Sequence, residues 1–209
     1  MDSHSRMLIE TQFFPPIQYI STLIKYPSVI LEKNEHFQKG TYRNRCHIAT
    51  AQGVQTLSIP LKKGKNQQQI ITDVQISYDV LWQRAFWRTL QTAYGNAPFW
   101  EHYAPVFEPF FTKKYNFLFD YNFEILQTLF KILKLNKSIT VSFTDTYLPD
   151  FTEGVDFRNQ CIPQNQTENQ TENPKRYAQV FEDRNGFIPH LSILDLIFCS
   201  GNQSLDILT

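Results

Sequence analysis

An α/β fold, with a mixed sheet flanked by helices in one domain over residues 1–209, is predicted by three features of the sequence. Short β-prone runs alternate with apolar runs at helical spacing, which is the pattern of an α/β protein. Strands and helices follow no clean βαβ rhythm, which favours a mixed sheet over a fully parallel one. Apolar residues make up 42% of the chain, with 18 Phe and 10 Tyr, enough to fill a core at the upper end of what one domain organises.

In chain order, Met7 to Glu10 reads as a short strand, and the pair Pro15-Pro16 starts a helix whose buried stripe is Ile17, Ile20, Leu23 and Ile24. Ser28 to Leu31 is a second strand. Arg45 to Thr50 and Thr56 to Leu61 form a hairpin turning at Gln52-Gly53. A mobile loop is expected over Gly64–Gln69, then a strand over Ile70–Ile76. Leu81 to Tyr94 is helical and ends at Gly95-Asn96. Phe99 to Phe111 is partly helical, interrupted by Pro105 and Pro109. Tyr115 to Leu135 carries the strongest helical pattern, and Ser138 to Thr144 is β-prone. A flexible loop is predicted at 159–175, where a Gln-Thr-Glu-Asn tetrapeptide repeats and little can be buried. Ala178 to Phe181 resembles a strand. Ser192 to Phe198 is a last core helix, with Ser192 as its N-cap.

Lys plus Arg equals Asp plus Glu at 20 each, so the chain has no electrostatic footprint for nucleic acid or an anionic membrane. No apolar run reaches membrane-span length and the amino terminus lacks a signal-peptide pattern, so a cytoplasmic location is expected. Cys46, Cys161 and Cys199 are widely spaced, which argues against a disulfide framework or a zinc site. No metal motif, P-loop or GxGxxG occurs, and no cofactor is implied.

The residues from Glu32 to Arg45 hold the densest set of groups that can carry chemistry. Within this block, Glu35, Lys39, Tyr42, Arg43, Asn44 and Arg45 are candidate substrate-binding residues. A guanidinium fork suits phosphate or carboxylate, and Asn44 both donates and accepts. On a strand, Arg43 and Arg45 point the same way and can grip one anion. Gln12, between a strand and a proline-started helix, stands where α/β sheets meet ligands. Lys62 and Arg84 complete the binding candidates. The weak catalytic candidates are His36 as a base and Cys46 as a nucleophile beside two arginines. A Ser192-His190-Asp195 triad lacks any supporting motif.

Several stretches resemble the WbqC-like protein family. They are Thr11 to Tyr19 with its Gln and prolines, the Tyr42-Arg43-Asn44-Arg45 block, Leu57 to Lys62, Trp82 to Pro98, and Gly186 to Leu196. The resemblance is colinear over essentially the whole chain. Phe13 stands where the family often has proline, and Phe86 where many relatives carry His. The resemblance implies a bacterial protein of surface-polysaccharide (O-antigen) synthesis, acting as an acyl, aminoacyl or sugar-modifying transferase. An anionic donor or sugar intermediate would bind through Arg43, Asn44 and Arg45. The alternative is a non-catalytic scaffold that partners such enzymes through an exposed apolar patch.

Overall fold

The computed structural model describes residues 5–62, 69–163 and 175–209. Apart from Gln69, the expected loop at 64–69 lies outside the described residues, as does most of the expected loop at 159–175, including its tandem repeat.

Strand β1 (Arg6–Ile9), helix α1 (Ile17–Leu23) and strand β2 (Ser28–Leu31) form a parallel crossover, with Met7 opposite Val29 and Ile9 opposite Leu31. Seven helical residues are enough to return the chain to the start of the sheet. Strand β5 (Thr140–Phe143) adds in parallel to β2, and β6 (Val155–Asp156) adds in parallel to β1. The sheet order is β5-β2-β1-β6. Its two central strands are apolar and buried at nearly every position, as parallel strands covered on both faces must be.

Between β2 and β5, strands β3 (Arg45–Thr50) and β4 (Gly53–Ser58) make a separate antiparallel ribbon, with Cys46 opposite Leu57. Parallel and antiparallel pairing therefore coexist, as the irregular rhythm predicts, but in two sheets. The second hairpin strand begins three residues earlier than expected because Gly53 itself opens it, at φ 103°.

Helices α2 (Trp82–Tyr94), α3 (Trp100–Thr112) and α4 (Leu118–Ile132) build the aromatic half of the core. Phe14, fully buried, packs against Phe107, Phe110 and Phe111 of α3. Pro105 and Pro109 do not interrupt α3. Both lie on its exposed face, where water can take the carbonyls that their missing N–H groups leave unbonded. The strand expected over 70–76 is not formed. Ile71–Asp73 is a 3₁₀ turn, and Ile70, Gln75 and Ile76 make only isolated bridges to different partners. Ala178 to Phe181 is not a strand either. It runs as a loop into the short helix α5 (Glu182–Asn185).

Helix α6 (Ile193–Ser200) begins at Ser192, whose Oγ accepts from the Leu194 amide, and is buried at every position. Helix α7 (Ser204–Leu208) follows it. The hydroxyl of Ser192 also donates to Phe14 O, so a triad with His190 is not assembled. Asp195 of α6 is instead a core acceptor, 2.8 Å from the Tyr94 hydroxyl and 2.7 Å from that of Tyr177. Burial raises its carboxyl to about 6, against the hydrogen bonds from Tyr177 and Tyr94 that pull it down.

An unfolded Asp titrates near ~4, so between roughly pH 4 and 6 the folded state holds more protons at Asp195 than the unfolded one. This group therefore favours folding more strongly as pH falls through that window. Wild-type protein should accordingly gain on Asp195→Asn by about 1–3 kcal/mol between pH 7 and 4.5, measured by urea denaturation of both at each pH. Because His47 and His190, which burial pushes down, contribute equally to both proteins, the difference isolates Asp195. A constant difference would refute the assignment.

Candidate functional site

Parallel strands end at one common edge of a sheet, and in open α/β sheets ligands bind beyond the carboxyl ends of the strands. At that edge, Glu10 follows β1, Glu32 follows β2, Thr144 follows β5, and Arg158 and Asn159 follow β6. Glu10 and Glu32 are both 0% exposed. Two carboxylates buried at a sheet edge must be hydrogen-bonded to persist, and each is.

Glu32 accepts from the Thr144 hydroxyl at 2.6 Å, from the Asn34 amide at 2.9 Å and from the Leu148 amide at 3.2 Å. Arg158 reaches it at 3.4 Å while closing a tight pair with Asp156 at 2.5 Å. Hydrogen bonds from Arg158 outweigh partial burial and hold the Asp156 carboxyl below its ordinary value. The Arg158 guanidinium also lies over the Tyr147 ring, 5.3 Å from its centre.

Glu10 accepts from Gln12 Nε2 at 2.8 Å and from the Asn159 amide at 3.0 Å. Asn159 sits at φ 60°, a left-handed conformation that Asn tolerates better than most residues. That turn lets its side-chain oxygen accept from Arg43 Nη2 at 3.0 Å. Arg43 then forks onto Glu35, with Nε 2.7 Å from Oε1 and Nη2 2.5 Å from Oε2. Burial raises the Glu35 carboxyl to about 6, with the Arg43 hydrogen bond and charge opposing it and Glu10 and Glu32 adding to it.

Above this network lies an open cleft of about 710 Å³. Glu35, Asp156, Arg158 and Asn159 line it from below, with His36, Lys39 and Tyr147 also in its walls. His36 and Lys39 are exposed. The cleft thus combines a carboxylate buried enough to change protonation near neutral pH, cations and an aromatic face.

Of the residues singled out in the sequence, Glu35, His36 and Lys39 line this cleft; Arg43 is hydrogen-bonded to two lining residues, Glu35 and Asn159, and Gln12 to Glu10, which Asn159 also binds. The remainder lie elsewhere. Strand β3 starts only at Arg45, and Arg43 occupies the preceding turn, so the alternation expected to aim both arginines one way does not apply. Arg43 turns to Glu35, whereas Arg45 lies near Tyr42 and His47, acting on the titration of both. Asn44 Nδ2 donates to Ile59 O at 3.0 Å and ties β3 to the segment after β4. Tyr42 is buried, its hydroxyl 3.3 Å from His47 Nδ1. Lys62 donates to Gln75 Oε1 at 2.7 Å, and Arg84 is exposed on α2; neither lines the cleft.

Cys46 is 1% exposed and packs in the apolar core, where burial drives its thiol pKa far up. A thiolate is disfavoured there, which removes it as a nucleophile. Among the described residues, no group of three or more His, Cys, Asp or Glu side chains is placed to hold a metal ion. Nor is any helix among them long and apolar enough to cross a membrane.

Sequence reasoning missed Glu10, Tyr147, Asp156, Arg158 and Asn159. One signal was present: Glu10 directly ends the run Met7-Leu8-Ile9, just as Glu32 ends Val29-Ile30-Leu31. A carboxylate closing each of two buried strands marks the edge where a polar site forms. Residues 145–159 carried no such pattern.

The fold and cleft define an α/β protein with a polar, ligand-sized site at the carboxyl edge of a parallel sheet. The chain belongs to the WbqC-like protein family, whose model matches residues 11–153. It is also similar to the uncharacterized protein Rv1507c of Mycobacterium tuberculosis, at 27% identity over 100 residues. That alignment covers 47% of this chain and 41% of the relative, so the chain spans less than half of the protein it matches. No solved structure matches. Of the matched family region, the buried network draws on Gln12, Glu32, Glu35, Arg43 and Thr144, while Arg158 and Asn159 lie beyond it.

Proposed function

We propose that the chain is a transferase-type protein of bacterial surface-polysaccharide synthesis that binds an anionic activated donor in the cleft at the sheet edge. The observation that carries this reading is the Glu35–Arg43 pair, buried beneath an open cleft and joined by Asn159 to the end of β1. A buried ion pair contributes little net stability compared with apolar packing. Its placement under a cleft is what a site gains from, because Arg43 holds Glu35 in one orientation. Lys39 and His36 supply donors for the phosphate or carboxylate of a donor molecule. Arg43 acts through Glu35 and Asn159, and no longer shares an anion with Arg45. Glu35, raised to about 6, is suited to take a proton from an attacking acceptor.

A thermal-shift panel of nucleotide-sugars, acyl donors and aminoacyl donors tests the reading. One donor class at a hundredfold excess over its Kd should stabilise the protein by about 2.7 kcal/mol. The shift should shrink in Lys39→Ala and persist in Arg84→Ala, which lies outside the cleft. No shift with any class would overturn the donor-binding reading in favour of the partner-binding alternative. The exposed pair Val80 and Leu81, at 58% and 79%, is then the apolar surface to test by cross-linking.

A further inference from the structure

We propose that the protein carries a second ligand site, on the opposite face of β6 from the cleft, for an aromatic ring system bearing one anionic group. The site is independent of the donor reading, which concerns the other face. A cavity of about 810 Å³ opens there between α1, β6, α7 and the segment 187–190. That volume falls within the roughly 300–1,000 Å³ of small-molecule sites. Side chains alternate across a strand. Val155 and Phe157 accordingly line this cavity, whereas Asp156 and Arg158 line the cleft. One strand thus walls two cavities.

The lining defines the body of the ligand. Tyr26, Phe157, Tyr177 and Phe187 all face the cavity, and the first, second and last of these are only half-buried. Tyr177 and Phe187 stand edge to face, 5.6 Å between ring centres. Rings gain from such stacked or edge contacts beyond the area they bury. The nearby hydroxyls are committed inward. Those of Ser21 and Thr22 donate to Gln18 O, and that of Tyr177 donates to the buried Asp195. Over most of the wall a ligand therefore meets rings and aliphatic carbon.

Charge defines its other end. Lys25 and Lys175 line the cavity and are exposed. Among the described residues, no Asp or Glu side chain lines it. Lys175 Nζ donates to Asp206 O at 3.2 Å, a carbonyl that takes one of its three N–H donors and none of its charge. Thr209 also lines the cavity, and a main-chain carboxylate there offsets at most one of the two ammoniums. His190, whose pKa burial lowers, adds no charge at neutral pH. A concave, low-dielectric wall edged by one sign of charge concentrates the opposite sign. An anion on an aromatic body meets both demands; a cation meets neither the charge nor the donors.

Fluorescence titration of the whole chain at neutral pH tests the site, using 8-anilinonaphthalene-1-sulfonate and its uncharged counterpart N-phenyl-1-naphthylamine. The sulfonate should bind one-to-one and at least about tenfold more tightly than the neutral probe. Ser21→Trp, which fills the cavity from α1, should weaken the sulfonate at least about tenfold. Lys25→Ala with Lys175→Ala should erase the preference for the anion. Both lysines are exposed, so this pair decides the matter if Ser21→Trp does not fold. Lys39→Ala, in the cleft, should leave the sulfonate bound as before. Octyl sulfate, an aliphatic chain with a similar headgroup, should compete at least about tenfold more weakly than 1-naphthalenesulfonate. Equal binding of the charged and neutral probes overturns the proposal, as does binding that is lost in Lys39→Ala and kept in Ser21→Trp. Octyl sulfate competing as well as 1-naphthalenesulfonate overturns the aromatic class.

Discussion

Replacing Arg43 with Met should destabilise the protein by about 3–5 kcal/mol at pH 7, the usual cost of removing one partner from a buried pair. The side chain has no exposure, and its guanidinium joins Glu35 to Asn159, which in turn binds Glu10. Methionine fills much of the volume, so the loss reports the charge and hydrogen bonds rather than a cavity. Without Arg43, Glu35 has lost the partner that holds its carboxyl down, and its pKa must rise further above the value of about 6 in the native network. Neutralising Glu35 removes the uncompensated charge, so the penalty should be smaller at pH 5 than at pH 7. Guanidinium denaturation at the two pH values measures both quantities. A loss below about 1 kcal/mol at pH 7 would show that the pair is solvated rather than buried.

Gly154→Ala should cost about 1–3 kcal/mol and disable the cleft, an effect the same size as overpacking a core. A Cβ on Gly154 would collide with the carbonyl of Arg6 and with the Phe151 ring. The carbonyl is backbone in β1 and cannot turn aside as a side chain can. Strand β6, which follows directly, holds to β1 by only two residue pairs, Met7 with Val155 and Leu8 with Asp156. The Phe157 amide, 2.8 Å from Leu8 O, continues that pairing. Displacing β6 moves Asp156, Arg158 and Asn159, three walls of the cleft, together. Hydrogen exchange at Phe157 should therefore quicken well beyond any change in the core of α4, and donor-induced thermal shifts should vanish. Unchanged exchange at Phe157 would mean that the strand absorbs the methyl group without moving.

Much of the fold was legible because local patterns and tertiary demands agreed. Met7 to Leu31 reads directly as strand, helix and strand, since proline opens the helix and both strands are short unbroken apolar runs. Ser192 is recognisable as a cap because a hydroxyl before an apolar helix has one obvious use. Ile70 to Ile76 was not legible in this way. Its residues are β-prone, yet Ile71 turns inward within a 3₁₀ turn and Val74 directly after it, and packing overrode propensity.

The sequence by itself determined an α/β chain of the WbqC-like family, and it singled out the Glu32 to Arg45 block as chemically loaded. Tertiary structure alone decided which of those groups form the site. Parallel pairing brings the ends of strands distant in sequence to one edge, so Glu10, Glu32, Thr144 and Asn159 meet across more than a hundred residues of chain. Arg43 and Arg45, two residues apart, part company because the strand begins only at the second. Spacing along the chain dictates which side chains share a face only where the backbone is regular. At this site it is a turn, and there long-range hydrogen bonds choose the direction.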